Sequence, residues 1–128
     1  MAKIIYTDNL PVGIGGRCEY PFIPKWGTCT IKLRPNYKTD GGILAHELKH
    51  EEQYKRTFFH ALLYKYSRKY RYRSELEAYT EQIREYGYTN IIQAQWIVKA
   101  LTNKYNLKKQ AFYIHEDVEK IIKQNKGE

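Results

Sequence analysis

All four prolines of this 128-residue chain, Pro11, Pro21, Pro24 and Pro35, precede Thr39, and none follows. Proline fixes φ and lacks a backbone donor, so long uninterrupted helices belong after Thr39. The chain therefore reads as α+β, with a small N-terminal sheet and a helical C-terminal half. Lys3 to Tyr6 reads as a short strand, and residues 9–27 read as loop. Thr28 to Arg34, TCTIKLR, alternates. Cys29, Ile31 and Leu33 point one way and the polar residues the other, as on a half-buried strand that Pro35 ends.

Asp40 is the expected N-cap of a long helix running from about Gly41 to Tyr66. A second helix is expected from Ser74 to Tyr86, closed by Gly87. Thr89 or Asn90 should cap a third, with Ile92, Trp96 and Val98 buried. A fourth is expected from His115 to Gln124, burying Val118, Ile121 and Ile122. No linker or repeat divides the chain, so residues 1–128 are expected to form one domain.

Composition narrows the classes. No segment is long and apolar enough to span a bilayer, and the start of the chain does not read as a signal peptide. Cys18 and Cys29 do not form a metal-binding CxxC pair, and a cytoplasmic protein with reduced thiols is expected. The formal charge is +8 and the mean hydropathy −0.73. Such a balance suits nucleic acid, anionic surfaces or plain solubility. The run KYSRKYRYR from Lys65 to Arg73 has the basic and aromatic interleaving of a nucleic-acid contact, but it equally suits a solvated helix end, which is preferred. The glycines at Gly13, Gly15 and Gly16 lack the following helix that a phosphate loop needs. Tyrosine, at 13 residues, is expected to supply much of the core and site rim.

Chemistry concentrates in His46-Glu47-Leu48-Lys49-His50. Histidines four apart lie on one helical face and reach one ion, while Glu47 stands beside it to take a proton from water. At this chain's His and Glu frequencies the pattern arises by chance in about one such sequence in a hundred. His60, a further ten residues along the expected helix, is about 15 Å away and reads as structural.

A catalytic zinc needs a third protein ligand and an open fourth position. Glu75 and Glu77 are the candidates. Ser74 to Glu77 fits a capping box that would occupy Glu77 and leave Glu75. HELKH followed by Glu75-Leu76-Glu77-Ala78-Tyr79 resembles the gluzincin metallopeptidases, and the length and element order are similar to their small members, the minigluzincins. The resemblance covers roughly residues 28–86. It implies a minimal zincin fold, one Zn2+ held by His46, His50 and Glu75, Glu47 as general acid and base, and a peptide or protein substrate. It also implies that an edge strand pairs with the substrate backbone, for which Thr28 to Arg34 is the candidate, the alternative being an interior strand. Tyr79 departs from the pattern, standing where the family often has an Asp that orients a metal histidine. Tyr79 and His115, with Tyr86, Tyr88 and Tyr113, are candidate donors to a developing oxyanion. The rival readings are a zinc-binding module without activity and a basic nucleic-acid-binding protein with a structural metal site.

Overall fold

A computed structural model describes residues 3–12, 14–19, 29–37, 41–88, 90–104 and 111–127. The fold is α+β, a three-stranded sheet with five α-helices. Strands β1 (Lys3–Tyr6), β2 (Gly16–Glu19) and β3 (Thr30–Leu33) lie in the order β1-β3-β2. β1 runs parallel to β3 and β2 antiparallel to it, with Cys18 opposite Ile31. The alternation expected of β3 is present. Cys29, Ile31 and Leu33 are buried, and Thr30 and Lys32 are partly exposed.

Two expectations about the sheet are corrected. β3 is its central strand, so it is not the edge that could accept a substrate. Thr28, the expected start of that strand, lies outside the described residues. The segment expected as loop contains β2, whose four residues are too few for a periodic signal and whose strand character comes from pairing with β3. β2 packs against the first helix through Gly16. A Cβ there would lie at an ordinary 3.5 Å from Glu47 Cγ on that helix but 2.6 Å from Leu33 Cδ2 on β3, so glycine leaves room for the Leu33 side chain.

The long helix expected over residues 41–66 is two helices, α1 (Gly41–Arg56) and α2 (His60–Tyr66), separated by a turn at 57–59. Asp40, its expected cap, lies outside the described residues. Neither Gly nor Pro marks the break. Packing imposes it, because α2 folds back onto α3 (Arg68–Tyr86). That helix also starts earlier than expected. Ser67 is its N-cap, accepting from the Tyr70 amide at 3.1 Å, and Ser74 is buried within it. Gly87 ends α3 as expected, with φ 72° and its amide bonded to Ile83.

The last helices are α4 (Gln95–Lys104) and α5 (Ala111–Asn125). Asn90 caps the turn before α4 by accepting from the Gln93 amide. Because α4 starts only at Gln95, Ala94, Ile97 and Leu101 set its buried face. Ile92 and Trp96, expected inside, are 78% and 44% exposed, and Val98 is partly buried. In α5, Val118 and Ile122 are buried as expected and Ile121 packs at their edge. With Ile83, Ile97, Leu101 and Ile114 they form the apolar core between α3, α4 and α5. Aliphatic side chains, rather than the expected tyrosines, dominate it; Tyr54 and Tyr79 are the buried tyrosines among the described residues.

Candidate metal centre

The α1 face turned toward α3 is buried and polar, carrying His46, Glu47, His50 and Gln53. A buried polar stripe is costly unless its groups find partners. Here α3 supplies Glu75, which is 1% exposed. His46 Nε2 lies 3.2 Å from His50 Nε2 and 3.4 Å from Glu75 Oε1, and His50 Nε2 lies 2.7 Å from Glu75 Oε2. One ligand atom from each of the three residues falls within 4.8 Å of the others, close enough to bind one metal ion.

The donor set fits a tetrahedral ion. Ligands at about 2.0–2.1 Å from such an ion stand about 3.3 Å apart, close to two of the three separations. The third is shorter because imidazole and carboxylate meet directly. The charges point the same way. Burial alone would lower the His50 imidazole, but facing Glu75 pushes it up to about 9. Burial alone would raise Glu75, yet His50 and His46 hold it well below the ordinary carboxylate range. Glu47 behaves oppositely, since burial lifts it above that range against the pull of both histidines.

Gln53 orients the site. Its amide nitrogen donates to the Ser74 carbonyl at 2.9 Å and to Glu77 at 3.0 Å, which turns its oxygen toward His50 Nδ1 at 3.0 Å. Nδ1 therefore donates, and Nε2 is the nitrogen presented to an ion. Glu77 also accepts from Arg56 at 3.0 Å. The capping box expected for Glu77 is thus replaced by a bridge between α1 and α3, while Glu75 alone joins the histidines. Among the described residues His46 has no counterpart to Gln53, and its Nδ1 is buried without a hydrogen-bond partner there. Tyr79 packs its ring against His46 at 4.4 Å between centroids.

The site opens into a cleft of about 430 Å³, with Glu47, both histidines and Glu75 in its lining. Gly16, Arg17 and Cys18 of β2 form one wall, and Pro11 and Ile14 close another. Arg34 shapes that second wall by donating to the main-chain carbonyls of Asp8, Leu10, Pro11 and Ile14 at 2.8–3.2 Å. Tyr64 completes the lining and donates from its hydroxyl to Glu75 Oε2 at 2.9 Å. Tyr79 and His115 are absent from the lining; His115 lies on α5, 4.0 Å from Glu119. Tyr86 and Tyr88 stack on one another, and Tyr113 is 65% exposed.

Sequence reasoning missed Gln53 and Tyr64. Gln53 carried a signal, being three residues past His50 on the same face. Tyr64 carried none. On a straight helix it would lie about 21 Å beyond His50, whereas the break at 57–59 brings the two rings to 6.0 Å. No family model matches this sequence, and neither a curated protein nor a solved structure does.

Proposed function

We propose that the chain is a zinc-dependent metallopeptidase. The observation that carries this reading is the convergence of His46, His50 and Glu75 at the floor of an open cleft, with Glu47 in the same lining. Zinc bound by those three residues supplies Lewis acidity, bringing the pKa of water to about 7 and polarising a carbonyl.

The chain's own residues do the rest. Glu47 takes a proton from the water as its oxygen attacks the peptide carbonyl carbon. It returns that proton to the amine nitrogen as the carbon–nitrogen bond breaks. Its burial favours the role, because a carboxylate short of solvent is a stronger base. Tyr64, whose hydroxyl lines the cleft and donates to Glu75, would have to release that bond to donate to a developing oxyanion. β2, an outer strand at the cleft, takes over from β3 as the strand suited to an extended peptide.

One observation favours a metal-binding module without activity. Among the described residues His46 Nδ1 lacks the acceptor that usually orients a metal histidine. Against it stands the open cleft, since structural zinc sites are closed by a fourth protein ligand. Assay of the zinc-loaded protein against a broad peptide library, beside Glu47→Gln, separates the readings. Glu47→Gln should keep its zinc and lose about a hundredfold or more in rate. Equal rates in the two proteins would remove the mechanism, and a zinc-loaded wild type that cleaves nothing would favour the module.

A further inference from the structure

α2 is amphipathic in the inverted sense. Its inward side seats His60 and Ala61 and sends Tyr64 into the cleft. Phe59, Leu62, Leu63 and Tyr66 recur at the spacing of one helical face and are 49%, 37%, 37% and 70% exposed. The neighbouring Phe58 ring meets Phe59 edge to face at 4.7 Å, extending the same apolar surface. Isolated exposed apolar side chains need no explanation, but a stripe of them on one helix marks an interaction surface.

Charge identifies what meets it. Residues 53–74 hold seven Lys and Arg and no Asp or Glu, while the rest of the chain is nearly balanced, 15 against 14. Almost the whole net charge of +8 is therefore carried by this stretch of sequence, which contains the helix. Some of these cations are committed: Lys55 to Glu51, Arg56 to Glu77, and Arg71 to the carbonyls of Tyr64 and Lys65. Arg68 and Lys69, directly after the stripe, are exposed and enter no ion pair among the described residues.

A second copy of the chain would bring like charge against like. A nucleic acid would use the cations and could stack on Phe58, Phe59 and Tyr66, but it has no use for Leu62 and Leu63, which share that exposed face. An anionic bilayer surface uses both features, taking apolar side chains at the headgroup–acyl boundary and cations at the phosphates. No helix among the described residues is long and apolar enough to cross a membrane, so the contact is superficial.

We propose that α2 docks the protein onto anionic lipid surfaces, with Phe59, Leu62, Leu63 and Tyr66 entering the interface and Arg68 and Lys69 meeting the phosphates. The surface stands apart from the metal ligands, so this inference does not depend on the peptidase reading. The test is co-sedimentation of the full chain with phosphatidylcholine vesicles, with and without about a third phosphatidylglycerol. Binding to the anionic vesicles should be about tenfold stronger or more, and should weaken as salt rises.

The pair Leu62→Ser with Leu63→Ser should reduce that binding about tenfold at unchanged helical circular dichroism. The charge-reversed pair Arg68→Glu with Lys69→Glu, confined to exposed positions, should reduce it as much and flatten the salt dependence. Equal partitioning onto neutral and anionic vesicles would overturn the proposal, as would wild-type binding by both variants. Retention on single-stranded oligonucleotide that survives the leucine substitutions, without vesicle binding, would assign the surface to nucleic acid instead.

Discussion

At the scale of single residues, the two histidines of the candidate metal centre are held by different means. Gln53 fixes His50 through a hydrogen bond, whereas His46 is placed by packing against the Tyr79 ring. The Tyr79 hydroxyl, held neutral by burial and by the charges of Glu75 and Glu47, makes no bond to His46 among the described contacts. Tyr79→Phe should therefore keep zinc affinity within about twofold, while Gln53→Leu should lose about ten- to a hundredfold. Chelator competition on the purified variants measures both. HELKH and Glu75 were legible because metal chemistry demands particular residue types at a helical interval. The capping box expected at Ser74 does not form. Ser74 caps no helix, and Glu77 is engaged by Gln53 and Arg56 instead.

At the scale of elements, the break between α1 and α2 decides most of what the sequence concealed. His60 opens α2 in a fully buried position and shares a 2.7 Å hydrogen bond with the Tyr70 hydroxyl. Burial, with the His50 and Arg56 charges nearby, lowers its pKa from 6.5 to about 4. The folded state thus prefers neutral His60. Between those two values the unfolded chain binds more protons, so stability falls as the pH drops through that window. The contribution is complete above the upper value. Urea midpoints at about pH 7 and about pH 4.5 should fall less in His60→Gln than in wild type. An equal fall would show that other groups carry the acid sensitivity. The turn at 57–59 left no trace in the sequence because it contains no helix breaker. The stop of α3 at Gly87 was plain because a left-handed residue there favours glycine.

At the scale of the whole molecule, composition separated sheet from helices correctly, since proline acts locally. Strand order depends on which pairings the entire chain permits, and four-residue strands say little about it. Hence edge and interior were both open for β3, which stands in the centre. The candidate metal centre joins the two levels, because its three residues come from α1 and α3, the most extensively packed pair of helices. An ion bound there ties residues 46 and 50 to residue 75 in the native state and finds no such site in the unfolded chain. Zinc in thousandfold excess over its dissociation constant should stabilise the protein by about 4 kcal/mol. Thermal scans with and without chelator should show the difference, and His50→Ala should abolish it.

The wall of the cleft held by Arg34 has a consequence for how such a protein can diverge. Arg34 grips main-chain carbonyls, and every residue type supplies those alike. The positions of Leu10, Pro11 and Ile14 on Arg34 therefore depend little on the side chains they display, while Asp8 adds its carboxylate 3.5 Å from Arg34. Descendants, or a library randomised over those positions, can present new chemistry to the cleft while the template stays in place. The ligand helices tolerate no comparable freedom, because there the side chains themselves are the structure.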